Sequence, residues 1–131
     1  MFMTDPITDM LNRIRNAQAV FHPTVVFPFS KFKYEIVKIL EKEGFVGEVE
    51  KKKRKEEKII KINLKYSEKK PVISGLKRIS KPGQRIYTPA KALKSVRQGY
   101  GINIISTSKG LMTNKEAMKK GLGGEMICEI W

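Results

Sequence analysis

Ile60, Ile62, Leu64 and Tyr66 alternate with Lys61, Asn63 and Lys65. A period of two puts the four apolar side chains on one face, so this segment reads as a half-buried strand. The chain before it carries the other period. Ile7, Met10, Leu11, Ile14 and Ala17 recur at helical spacing, and so do Phe32, Ile36, Ile39 and Leu40. Helical and strand periods written in one short stretch call for an α+β fold.

The punctuation agrees. Asp5-Pro6 is a capping carboxylate followed by a proline at the first helical position, and His22-Pro23 breaks that helix. Ser30 can cap the second helix and Gly44 can stop it. Thr24 to Phe27 reads as a short strand, and Phe45 to Lys51 pairs with Lys58 to Tyr66 as a hairpin. Residues 1–66 are thus expected to form an N-terminal α-β-α-β-β lobe.

The polar junction Ser67-Glu-Lys-Lys-Pro71 opens a second lobe, residues 67–131, expected to be mostly β with short helices. Strands are read at Val72 to Ser80, Arg85 to Thr88, Ile102 to Thr107 and Glu125 to Trp131, the last with Met126, Cys128 and Ile130 on one face. Lys81-Pro-Gly-Gln84 is a turn. Ala90 to Gln98 reads as a brief basic helix ended by Gly99. Thr113-Asn-Lys-Glu116 has capping-box spacing and opens a short helix closed by Gly121.

The charge is unevenly placed. Of 27 basic and 13 acidic residues, giving +14, eleven basic and no acidic residues lie between Lys69 and Lys115. The rest of the chain is nearly balanced. Solvated faces usually mix both signs, so a long acid-free span points to a polyanion, with nucleic acid ahead of an anionic membrane surface. A second run, Lys51-Lys-Lys-Arg-Lys-Glu-Glu-Lys58, mixes signs and reads as a hairpin tip, either touching phosphate or simply solvated.

Other classes fall away. No apolar run reaches the roughly 20 residues of a membrane span. The first residues lack the basic and apolar segments of a secretory signal. The single cysteine, Cys128, cannot form an internal disulfide, which suits a reducing compartment, and a cytoplasmic protein is the expectation. His22 and Cys128 are alone of their kinds, so no metal site is expected. Gly121-Leu-Gly-Gly-Glu125 lacks the Gly-Lys-Ser/Thr ending of a phosphate loop, and no cofactor or small-molecule substrate is implied.

Ser106-Thr-Ser-Lys-Gly110 is the most informative short segment. Hydroxyls, a lysine and a glycine at a strand end can meet phosphates, ribose hydroxyls and base edges. It also spells the Ser-x-x-Lys of penicillin-binding proteins. That spacing needs a helix, and its partner motifs are absent, so no catalytic residue is assigned. Tyr87, beside Arg85, can stack on a base or be a buried strand residue. Glu125 can accept from a base or orient its neighbours.

Three motifs carry a resemblance: Thr4-Asp-Pro-Ile-x-Asp-Met-Leu-x-Arg-Ile-Arg-Asn-Ala17, Arg78-Ile-Ser-Lys-Pro-Gly-x-Arg-Ile-Tyr87, and Ser106-Thr-Ser-Lys-Gly110 followed by Gly121-Leu-Gly-Gly-Glu-Met-Ile-Cys128. In this order the chain resembles the bacterial small-subunit ribosomal protein eight family over nearly its whole length. The resemblance implies a structural, non-enzymatic assembly protein. Its partners would be the central domain of 16S rRNA, neighbouring small-subunit proteins and, in many bacteria, the mRNA of its own operon, whose translation it represses. RNA contacts carried over from the family are Ser106, Thr107, Ser108, Lys109, Gly110, Tyr87, Gly123, Gly124 and Glu125, with Arg85 added beside Tyr87. A second set would lie near Thr4, Asp5, Arg13, Arg15, Asn16, Ser30 and Lys31. No site is carried onto Lys51 to Lys58.

Overall fold

The computed structural model describes residues 5–131. The first helix, α1 (Pro6–Ala19), begins where the proline allows it. Asp5 accepts from the Ile7 amide at 3.1 Å and the Thr8 hydroxyl at 2.5 Å, which satisfies donors the first turn leaves open. The apolar stripe read from the sequence is buried throughout: Ile7, Met10, Leu11, Ile14 and Ala17.

The chain divides into two compact units. One is Asp9–Ser74; the other is Gly75–Trp131 together with Asp5 to Thr8.

In Asp9–Ser74, β1 (Thr24–Pro28) and α2 (Lys31–Lys42) lead into a long hairpin of β2 (Val46–Arg54) and β3 (Glu57–Leu64). The sheet is antiparallel in the order β1-β3-β2. The alternation seen in the sequence sets its buried face: Phe27, Ile60, Ile62 and Leu64 point inward with Val46 and Val49. Each such side chain contributes about 1.5–3 kcal/mol on burial.

The α2 stripe differs from expectation. Lys33, Ile36, Val37 and Leu40 are its buried residues, while Phe32 is exposed. Lys33 lays its stem into the unit and keeps its ammonium 5.7 Å from the centre of the Phe27 ring, which lets a lysine occupy an inward position. Burial lowers its pKa; Asp9 opposes that shift and Arg13 adds to it.

The hairpin also differs. Residues 51–58 are mostly paired strand rather than a tip, with only Lys55 and Glu56 turning. The junction at Ser67 to Pro71 is itself a tight hairpin. Tyr66–Ser67 (β4) pairs Lys70–Pro71 (β5), and Glu68 and Lys69 take the positive φ such turns require.

The second unit is built on β6 (Leu76–Arg78), β7 (Tyr87–Thr88), β8 (Ile102–Thr107), β9 (Gly110–Thr113), α3 (Asn114–Lys120) and β10 (Gly124–Ile130). β10 is central. β8 flanks one edge and continues to β9, while β6 and then β7 share the other. The strand expected from Val72 to Ser80 shrinks to Leu76–Arg78. Pro71 has no N–H to give, and the Val72 amide donates back to the Lys65 carbonyl.

The expected helix from Ala90 to Gln98 is two separate 3₁₀ turns, Ala90–Ala92 and Arg97–Gly99. The buried Asn114 side chain explains the break. It donates to the Lys94 carbonyl at 2.9 Å and accepts from the Asn103 amide at 3.1 Å, tying this loop to the start of β8. Arg97 and Gln98 then take positive φ values of 47° and 58°. In β10 the register shifts between Met126 and Cys128, so Ile127 and Cys128 are both buried and the expected single apolar face is broken. Against one side of the sheet Leu93, Ile105, Met112 and Ala117 close a small core with Leu122 and Met126. The expected cap of α3 is present, with Thr113 accepting from the Glu116 amide at 3.2 Å and Gly121 at φ 66°.

Candidate nucleic-acid interface

Backbone register brings separate sequence motifs into one row. Glu125 stands opposite Ser106 of β8 on one side and Tyr87 of β7 on the other. Directly opposed residues of antiparallel strands point to the same face. Tyr87, Glu125 and Ser106 therefore lie side by side across three strands, spanning about 10 Å at normal strand spacing.

Tyr87 is 70% exposed, which settles the choice left by the sequence against a buried residue. Glu125 accepts from Arg85 Nη1 at 3.1 Å, so the one acid in the row is held by a cation. Ser80 fixes the loop that presents Arg85. Fully buried, it accepts from the Ile86 amide at 2.9 Å and donates to the Ile86 carbonyl at 3.3 Å.

Past Ser106 the chain turns at Ser108 and Lys109. The Thr107 hydroxyl closes this turn, accepting from the Lys109 amide at 3.1 Å and donating to the Gly110 carbonyl at 2.9 Å. Gly110 takes φ 108°, which favours glycine. Of the three hydroxyls grouped in the sequence, Thr107 thus serves the turn. The side-chain hydroxyls of Ser106 and Ser108 have no hydrogen-bond partner among the described residues. Ser108 and Lys109 are exposed. The Ser-x-x-Lys spacing falls on a strand end and turn, not on a helix.

Gly123 and Gly124 have reasons within the fold to be glycine. A Cβ on Gly124 would lie 2.1 Å from the Ser106 carbonyl oxygen, and one on Gly123 would lie 2.5 Å from that of Thr88. Their bare backbones let β7, β10 and β8 close up beside one another.

In the same unit, Lys77, Lys81, Lys91, Lys94, Lys115, Lys119 and Lys120 are exposed. Arg78 is the exception in the acid-free stretch. Its side chain is 8% exposed, and it donates to Asp5 at 2.9 Å and to the Ile127 carbonyl at 2.6 Å. Burial alone would raise the Asp5 carboxyl, but hydrogen bonds from Thr8 and Arg78, with the charge of Arg78, hold it below the usual value. Tyr100, 83% exposed beside the strained Arg97–Gly99 turn, was not singled out from the sequence; its glycine neighbours gave only a weak signal.

The second expected set is placed less uniformly. Thr4 lies outside the described residues. Asp5 faces Arg78. Arg13, Arg15 and Asn16 are exposed on α1 away from its apolar stripe, with Arg13 donating to Asp9 at 3.1 Å and Arg15 to Asn12 at 2.5 Å. Ser30 spends its hydroxyl on the Lys33 amide at 3.1 Å, capping α2, and Lys31 is exposed.

Among the described residues no cluster of three or more His, Cys, Asp or Glu side chains is placed to hold a metal ion. No described helix is long and apolar enough to cross a membrane.

Comparison with known proteins agrees with the motifs. The family model described as ribosomal protein S8 matches residues 5–131. Proteins named small ribosomal subunit protein uS8 are similar over the full length of both chains: 59% identical in Caldanaerobacter subterraneus subsp. tengcongensis, 52% in Natranaerobius thermophilus and 50% in Clostridium novyi. This chain belongs to the ribosomal protein S8 family.

Proposed function

We propose that this protein is a non-enzymatic structural constituent of the small ribosomal subunit, working in the cytoplasm, that binds the central domain of 16S rRNA and helps it assemble beside neighbouring small-subunit proteins. Its membership of the S8 family and the printed names of its relatives support the ribosomal setting. The observation that carries RNA recognition is the row Tyr87–Glu125–Ser106, which continues into the Ser108-Lys109 turn.

The row offers an exposed ring, a carboxylate held by Arg85, and hydroxyls with no protein partner. A-form RNA hides its base edges in a deep, narrow major groove and displays 2′-hydroxyls in a wide minor groove. Ser106 and Ser108 can exchange hydrogen bonds with ribose hydroxyls and minor-groove edges. Tyr87 can stack on an unpaired base, a contact worth about 1–3 kcal/mol. Lys109, Gly110, Gly123 and Gly124 bring backbone and charge close to the strand. Arg13, Arg15, Asn16 and Lys31 add a second contact set, with Ser30 shaping its helix start. The surrounding lysines supply affinity with little sequence information. The same surface would take a similarly folded segment of its own operon mRNA and repress its translation.

Competition filter binding tests the reading. A labelled central-domain fragment bound at physiological salt should resist excess duplex DNA. Equal displacement by DNA and by unlabelled fragment would instead mark a general nucleic-acid binder.

A further inference from the structure

The β2–β3 hairpin sorts its charges by face. Lys51 lies opposite Ile60 and Lys53 opposite Lys58, so these three lysines share the face that carries Val49 and Ile62. The other face holds Glu50 opposite Lys61, Lys52 opposite Ile59, and Arg54 opposite Glu57. That face mixes both signs, three cations with two acids, and Lys52 and Glu50 are paired at 3.2 Å. The lysine face has no acid. None of its three lysines forms an ion pair among the described residues, and all three are exposed.

Two further features single it out. β1 pairs β3 only between Ile59 and Asn63, and one more bond, from the Phe29 amide to the Lys58 carbonyl, ends that edge. Beyond it the hairpin projects as a two-stranded ribbon. At the root, Lys51 is seated with Nζ 5.0 Å from the centre of the Tyr34 ring and 5.7 Å from that of Phe29. Lys53 and Lys58 face each other directly, a pairing that disfavours the strand contact unless an anion lies between them.

We propose that the face formed by Lys51, Lys53 and Lys58 is a second RNA contact, gripping the phosphates of a duplex without reading its sequence. It rests on the RNA-binding reading above but uses none of the residues of the Tyr87–Ser106 row. A two-stranded ribbon with one cationic face can follow a backbone, and lysine suits the task because it binds phosphate as a point charge.

The test compares two double variants of the full chain. K53Q/K58Q removes charge from the acid-free face; K52Q/K61Q removes the same charge from the mixed face. Binding to the 16S central domain and to an unrelated duplex RNA is titrated across potassium chloride concentrations. K53Q/K58Q should lower the slope of log K against log salt by about one to two and weaken both RNAs by similar factors, while K52Q/K61Q leaves the slope unchanged. Equal effects of both variants would reduce the face to general net charge and overturn the proposal. So would an unchanged slope in K53Q/K58Q, which would leave an acidic protein surface as the partner. Wild-type protein that shows no preference for the central domain would defeat the recognition reading instead, so the two failures are distinct.

Discussion

Asp5 and Arg78 sit 73 positions apart, yet their side chains meet at 2.9 Å, 14% and 8% exposed. Removing one partner would strand the other charge in a poorly hydrated place, at a cost of about 3 kcal/mol. Asp5→Asn should show this loss in urea unfolding at pH 7. The folded carboxyl lies below its ordinary value of 3.8, so the contribution is fully present above that value and is lost as pH falls through the lower folded one. The gap between wild type and variant should therefore narrow as pH falls below 3.8; a gap that stays constant through the acid range would remove the ion pair from the explanation. Cys128 gives a second prediction. Burial pushes its thiol up to about 12, against the opposing charge of Arg78, so the native protein should resist iodoacetamide at pH 8 and react once unfolded in denaturant. At this scale the sequence was partly misleading. Arg78 counted as one more cation for RNA, because nothing local shows a partner 73 residues away. Lys33 is inward although the stripe of Phe32, Ile36, Ile39 and Leu40 leaves it out.

At the scale of elements, periodicity and punctuation carried most of the fold. Asp5-Pro6, Ser30 and Thr113 each start a helix, and the alternation at Ile60 to Leu64 set the buried face of β3, while Tyr66 falls beyond it in β4. The segment from Ala90 to Gln98 failed because its decisive contact, at the Lys94 carbonyl, comes from Asn114 on a later element. The shortening of Val72 to Ser80 follows from Pro71 and from a backbone bond to Lys65 that no local pattern records. Strand closure at the site makes a sharp test. Gly124→Ala would drive a methyl into the Ser106 backbone and should cost about 2–3 kcal/mol in urea unfolding. Gly121→Ala meets no neighbouring atom and pays only for its φ of 66°, about 1 kcal/mol. Equal losses would show that the tight β7–β10–β8 approach is not what fixes Gly124.

At the scale of the whole molecule, the acid-free span from Lys69 to Lys115 pointed to a polyanion before any fold was known. The structure sharpens that into unequal parts. Most of its cations are exposed and suited to holding phosphate, while Arg78 is withdrawn. The groups proposed to select the RNA are neutral or acidic and come from three separate strands. Tyr87, Glu125 and Ser106 could be named from the motifs, but their alignment depends on pairing that joins β7 and β8 through β10. The central claim is that this row, rather than net charge, chooses the RNA. It is tested by the affinities of Ser106→Ala and Ser108→Ala for the 16S central domain and for a plain RNA duplex at one salt concentration. A loss of tenfold or more is expected on the central domain, with little change on the duplex. Equal losses on both RNAs would contradict it.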